Sequence, residues 1–175
     1  MSYRSTDDTV AYEATRITVR VSAPFDEVRA RFETAVPTLD PADLDAVVSG
    51  RVAWEDFIRG LAWEAPNGFV RVATDDLGRV LGVAGGTAAA VSYAVLDWAA
   101  AGRIHRLEPS ALVYLPLRML LASRADHVAL TFDQPSSQLT SFGLNKLTQA
   151  GRELDRRLAD LLEEIDIPRP AALGR

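Results

Sequence analysis

Asp97 and His105 are the residues of this chain best suited to acid–base chemistry. Asp97 closes a predicted strand, and His105 lies in the helix predicted to follow it. An imidazole has a reference pKa of about 6.5, which suits proton transfer at neutral pH. Trp98 and Arg103 belong to the same segment and could bind a substrate by stacking and by charge. The competing interpretation makes His105 a surface residue of the helix and Trp98 a core anchor.

A second candidate site falls on a predicted β-hairpin. A two-residue loop at 125–126 would pair Met119 with Phe132 and would set Arg118 opposite Asp133. A guanidinium whose plane is fixed by a carboxylate can bind a ligand carboxylate through two hydrogen bonds. The alternative is a cross-strand ion pair without a ligand, which contributes about 0.2–1 kcal/mol.

Four hydroxyl side chains complete the candidate set. Tyr93 and Tyr114 are predicted to line a pocket, or else to be buried with one hydrogen bond each. Ser136 and Ser137 follow the hairpin and could bind a ligand, although helix capping is the simpler role for serine there. No nucleophile-elbow pattern surrounds these serines.

Composition excludes several classes of chemistry. The sequence has no cysteine, two histidines and, among 19 basic residues, a single lysine, Lys146. Thiol catalysis is therefore excluded, Schiff-base catalysis would depend on one residue, and a multi-histidine metal site is disfavoured. We expect neither a metal nor a cofactor.

Charge and hydropathy bear on partners and location. The net charge is −5 and the basic residues are scattered along the sequence, which disfavours a nucleic-acid partner. We find no uninterrupted apolar run of about 18 residues and no apolar leader. The sequence therefore predicts a cytoplasmic protein without a membrane partner.

Hydrophobic periodicity places these residues on an α+β fold. We predict a mostly antiparallel sheet with helices packed on one face, in the order β-α-(αα)-β-β-α-β-β-α. The glycine-rich segment 80–90 fits no phosphate-binding spacing, and a loop or bulge is predicted there. Residues 1–14 are predicted to form a flexible arm, 15–166 a single domain, and 167–175 a disordered tail.

Three segments resemble the bacterial domain-of-unknown-function family 302. They are RVSAPFDEVRARFETAVPTLD, EAPNGFVRVATDDL and the stretch from VSYAVLDWAAAGRIHR through PLRMLL and DQPSSQLTSFG to GRELDRRLADLLEEI. Together they span about residues 15–166. The PLR and DQPSS motifs are the most specific part. The resemblance implies an α+β fold and a common homodimeric state, and it brings no assigned reaction.

The chain departs from the family pattern at its polar positions. Members with a similar C-terminal half often carry Gly-Asn-His where this chain has Leu96, Asp97 and Trp98, and an acidic residue where it has Gly102. These departures leave three alternatives: a different ligand from that of other members, a more apolar ligand, or no ligand.

The leading functional hypothesis is a small-molecule-binding or accessory protein. Its pocket would lie between the sheet and the helix at 98–107, and it would bind an apolar or carboxylate-bearing molecule. A second hypothesis is a cofactor-independent isomerase or cyclase that uses Asp97 and His105. A third is a dimerising scaffold. The segment APFDEVRARFE is also similar to the start of helix-grip lipid-binding domains of the START and polyketide-cyclase type, whose hallmark would be a deep cavity beneath a long helix.

Overall fold

The computed structural model describes residues 3–174, and its strands follow the alternating apolar segments of the sequence. The strands are β1 (Arg16–Val21), β2 (Val70–Asp76), β3 (Ala90–Leu96), β4 (Leu117–Ser123) and β5 (Val128–Asp133). The helices are α1 (Phe25–Ala35), α2 (Pro41–Val48), α3 (Trp54–Glu64), α4 (Leu77–Gly82), α5 (Trp98–Leu107), α6 (Pro135–Leu139) and α7 (Asn145–Glu164). Short 3-10 helices cover Pro109–Tyr114, Thr140–Phe142 and Ala171–Leu173.

All five strands form one antiparallel sheet in the order β1-β5-β4-β3-β2. The predicted hairpin is β4 and β5, in which Met119 pairs with Phe132. The amide of Arg124 donates to the carbonyl of His127 at 2.8 Å, so residues 125–126 form the predicted two-residue loop. The predicted register of the hairpin is confirmed.

Helices cover one face of the sheet. Val91 and Met119 from the sheet pack in one core cluster with Phe32 of α1, Ile104 of α5 and Leu154 of α7. Each of these side chains is almost fully buried, so the space between α7 and the sheet is packed rather than hollow. The α+β fold class is confirmed. The deep cavity expected of a helix-grip domain does not lie between these packed elements.

The opposite face of the sheet is more open. Arg118 is exposed there, and Leu120 and Thr131 are half-buried. At the β2 edge, α2 and α3 pack in a smaller apolar cluster around Phe57 and Val70. The half-buried Trp98 of α5 contacts this cluster, which joins the two helices to the main body.

The structure differs from the sequence-based expectation in two segments. The glycine-rich region begins with helix α4, whose first turn is capped by the Asp76 carboxylate accepting from the Arg79 amide at 2.9 Å. The tail was expected to be disordered, but Ile167 and Leu173 are buried in the core. Apolar side chains on both sides of the helix-breaking prolines explain this packing. Residues 1, 2 and 175 of the predicted arm and tail lie outside the described residues, and the domain boundaries stay predictions.

None of the helices within residues 3–174 combines the length and apolar character needed to cross a bilayer.

Candidate functional site

Two neighbouring grooves border the 3-10 helix at Pro109–Tyr114 and share Leu115 and Pro116 as a common wall. The first, called here the apolar groove, has a volume of about 390 Å³. It is lined by Trp54, Leu96, Trp98, Ala101, Gly102, His105, Leu112, Leu115 and Pro116. The second, called the polar groove, has a volume of about 280 Å³. It is lined by Ala94, Val113, Tyr114, Leu115, Pro116, Leu117, Arg118, Asp133 and Gln138.

The apolar groove depends on how closely α3 approaches α5. A Cβ atom on Gly102 would lie 2.9 Å from the Trp54 ring, so glycine at this position makes the contact possible. Trp98 packs edge to face on Phe57, with ring centroids 6.1 Å apart. Its indole nitrogen is buried and has no hydrogen-bond partner within residues 3–174. The groove therefore has aromatic walls, and the unsatisfied indole nitrogen of Trp98 is buried behind them.

The polar groove brings together the predicted hairpin residues. Arg118 and Asp133 both line it, but the cation nearest to Asp133 is Arg16, whose Nε lies 3.7 Å from the carboxylate. Arg16 and Asp133 are register partners across β1 and β5. Asp133 therefore pairs with Arg16 on the neighbouring strand β1, and the predicted ion pair with Arg118 on β4 does not form. Arg118 has no ion-pair partner within the described chain.

Tyr114 lines the polar groove and packs against two other aromatic rings. Its ring packs edge to face on Tyr12 and on Phe142, with ring centroids 5.7 Å and 6.0 Å away. The N-terminal segment that carries Tyr12 is anchored at Thr15, whose carbonyl accepts from the Gln134 amide at 2.8 Å. Residues 12–15 therefore pass beside the polar groove.

Asp97 and His105 do not line a common groove. Asp97 is buried and caps α5, accepting from the Ala100 amide at 2.8 Å, and its second oxygen is paired with Arg157. His105 is exposed on α5 and lines the apolar groove. Both carboxylate oxygens of Asp97 thus already have a partner, which is typical of a residue that stabilises the fold. The catalytic roles of both residues stay predictions, and no groove is shared in which the pair could act.

Tyr93 faces the helical side of the sheet rather than either groove. Its hydroxyl donates to Glu33 Oε1 at 3.0 Å, and the residue is completely buried. Burial, followed by the negative charge of Glu33, raises the pKa of Tyr93 above its ordinary value. Burial would also raise the pKa of Glu33, but hydrogen bonds from Arg29 and Tyr93 outweigh it and lower that pKa. Tyr93 is a core residue with one hydrogen bond, which was the simpler of the two predictions.

Arg103 faces α7 and lines neither of the two grooves. Its Nη2 lies 3.0 Å from Glu153 Oε2, at an orientation that makes an ion pair rather than an aligned hydrogen bond. Glu153 also pairs with Arg157 at 3.1 Å. The guanidinium of Arg103 is the main cause that lowers the pKa of Glu153, against the opposing effect of burial.

Ser136 and Ser137 do not cap α6, which was their predicted structural role. They lie inside that helix, and Ser137 Oγ donates to the Gln134 carbonyl at 2.7 Å. The acceptor for the helix start comes from α7 instead, because Asp155 Oδ1 accepts from the Ser136 amide at 3.0 Å. The other oxygen of Asp155 accepts from Gln134 Nε2 at 2.9 Å. Asp155 was not among the predicted site residues, although an acidic residue beside Leu154 in an apolar stripe was a visible signal.

Comparison with known proteins finds a similar fold but no related sequence. No family model and no curated protein matches the sequence. Among solved structures, the chain is similar to an uncharacterized conserved protein DUF302 from Bacillus stearothermophilus. The TM-score is 0.62 at 16% identity, and the alignment covers 86% of this chain and 97% of that one. The chain therefore has an α+β fold of the DUF302 type, which confirms the sequence resemblance at the level of the fold.

Proposed function

We propose that the protein binds a small molecule in which an apolar body carries a carboxylate. The apolar body would occupy the apolar groove, and the carboxylate would cross the wall at Leu115 and Pro116 to reach Arg118. The observation that supports this most directly is a guanidinium without an ion-pair partner in residues 3–174, placed directly beside an aromatic-walled groove. The predicted homodimeric state and cytoplasmic location belong to this proposal.

The sizes and linings of the grooves suit such a ligand. Small-molecule sites commonly have volumes of about 300–1,000 Å³ and are mostly apolar with a few placed polar groups. The apolar groove reaches this range by itself, and the polar groove adds space next to it. Burial of the ligand body between Trp54 and Trp98 would supply the nonspecific part of the affinity.

Arg118 would supply the specificity. Its guanidinium can donate two parallel hydrogen bonds to a carboxylate. Asp133 is already paired with Arg16, so it competes less for Arg118 than the predicted cross-strand pair would. The ligand carboxylate would therefore meet a cation whose charge is not neutralised by an ion pair in the described chain.

Matched acids and alcohols test the proposal. The probes are indole-3-acetate and decanoate, each paired with its alcohol, and binding is measured by calorimetry. We expect the acids to bind better than the alcohols, and Arg118→Gln to weaken acid binding about tenfold, the loss of about 1.4 kcal/mol, while alcohol binding is unchanged. Arg20→Gln is the control, because it removes an exposed arginine of β1 that lines neither groove and leaves the pair between Arg16 and Asp133 in place.

Two results would contradict the proposal. One is acid binding that Arg118→Gln leaves unchanged, which would remove Arg118 from the site. The other is failure of both acids and both alcohols to bind the folded protein. Thermal unfolding of each variant establishes that the fold is retained, as expected for substitutions at exposed positions.

A further inference from the structure

A third groove lies between α5 and α7, and basic residues dominate it. Its volume is about 470 Å³. It is lined by Arg103, Leu107, Lys146, Gln149, Ala150, Arg152, Glu153 and Arg156, and is called here the basic groove. Four of these residues are cationic and one is acidic. None of them lines the apolar or the polar groove.

The single carboxylate does not neutralise the basic groove. Glu153 pairs with Arg103 at 3.0 Å and with Arg157, outside the lining, at 3.1 Å. Lys146, Arg152 and Arg156 have no ion-pair partner within residues 3–174. The local charge is therefore strongly positive in a chain whose net charge is −5.

This arrangement has an energetic cost in the absence of a counter-charge. Arg152 and Arg156 are four residues apart on α7, and like charges at this spacing destabilise a helix by about 0.2–0.5 kcal/mol. Arg103 adds another positive charge from α5 across the groove. A bound anion would offset the repulsion among Arg103, Arg152 and Arg156.

We propose that the basic groove binds a small polyanion that carries several phosphate or carboxylate groups. Arginine side chains bind both kinds of group through paired hydrogen bonds, and Lys146 adds a flexible point charge. The groove has the volume of a small-molecule site, and the rest of the chain carries excess negative charge, which disfavours an extended nucleic-acid partner. This site is independent of the carboxylate ligand proposed for Arg118.

Calorimetry on the full chain at low ionic strength tests this inference, with sodium tripolyphosphate, citrate and orthophosphate as probes. We expect saturable one-to-one binding of tripolyphosphate or citrate, tighter than that of orthophosphate and weakened by added salt. The double variant Arg152→Gln/Arg156→Gln should lose at least tenfold in affinity. The control Arg51→Gln/Arg59→Gln removes the same charge at exposed positions outside the groove and should bind as the native chain does.

The outcomes separate the possible ligands. Tighter binding of tripolyphosphate assigns the groove to phosphates, and tighter binding of citrate assigns it to carboxylates. Absence of saturable binding, or an equal loss in the control variant, would overturn the inference. Tighter binding of a short single-stranded oligonucleotide than of either small probe would overturn it as well. Arg118→Gln should leave tripolyphosphate binding unchanged, so this test succeeds or fails separately from that of the proposed function.

Discussion

At the residue scale, two buried carboxylates connect the C-terminal helix to the rest of the protein. Asp97 caps α5 and pairs with Arg157 of α7. Asp155 lies on α7 and accepts from the amide of Ser136 and the side chain of Gln134. Both residues belong to the segments that carry the family resemblance. Their contacts explain an acidic residue at each position without any catalytic role.

Replacement of Asp155 should destabilise the protein. In Asp155→Ala, the Ser136 amide and the Gln134 side-chain amide lose an acceptor in a largely buried place. We expect the free energy of unfolding to fall by about 1.5–3 kcal/mol, the usual value for a hydrogen bond to a charged group. Urea unfolding measures the change.

The matched control for this prediction is Asp45→Ala, at an exposed position of α2. It should change the free energy of unfolding by less than about 0.5 kcal/mol. Equal effects of the two substitutions would show that Asp155 does not hold α6 in place.

At the scale of elements, α6 and α7 pack closely enough to require glycine at one position. A Cβ atom on Gly151 would lie 2.6 Å from Ser136 Cα, which is backbone and cannot rotate away. The DQPSS segment is thus held by a close helix contact as well as by Asp155. Gly60 in α3 is the opposite case, because a Cβ atom there would have no neighbour within 4 Å.

These two glycines should respond to alanine with opposite signs. Alanine is favoured over glycine in a helix by about 1 kcal/mol. Gly60→Ala should therefore stabilise the protein by roughly 0.5–1 kcal/mol, whereas Gly151→Ala should destabilise it because α6 must move. Thermal unfolding of both variants checks the prediction, and an increase in stability for Gly151→Ala would contradict the close approach.

At the scale of the whole molecule, residues after α7 complete the core. Ile167 and Leu173 are 2% and 3% exposed, and Gln134 Nε2 donates to the Ala172 carbonyl at 2.8 Å. Residues 3–11 are exposed throughout and form no helix or strand. The two ends of the described chain therefore contribute very differently to stability.

Truncations at the two ends test this difference. A chain that ends at Asp166 loses two buried apolar side chains, each worth about 1.5–3 kcal/mol, and should be less stable by about 3–6 kcal/mol. A chain that lacks residues 1–11 should lose less than about 1 kcal/mol, because residues 3–11 are exposed and exposed residues contribute little. Urea unfolding of both forms measures the effects. A C-terminal truncation without a measurable loss would contradict the packing of residues 167–174.

The elements were predictable because their signals are local. The hairpin register follows from a two-residue loop and alternating apolar residues, and α5 covers the predicted range 98–107, ending just before Glu108 and Pro109. Helix α4 was missed because its six residues, LGRVLG, include two glycines and show no clear periodicity. The disorder expected of the tail was wrong because proline ends a helix but does not prevent the following residues from packing.

The sequence by itself determined the α+β class and the hairpin, since periodicity and turn chemistry act between residues close in the chain. The resemblance to the DUF302 fold was carried by sequence motifs, above all PLR and DQPSS. Only the tertiary structure decided which side chains share a groove. It paired Asp133 with Arg16 rather than Arg118, placed Tyr93 in the core, and set Arg103 of α5 beside Lys146, Arg152 and Arg156 of α7 in one basic groove. The reason is physical: these choices depend on sheet order and on helix packing across distant segments, which neither charge pattern nor periodicity encodes locally.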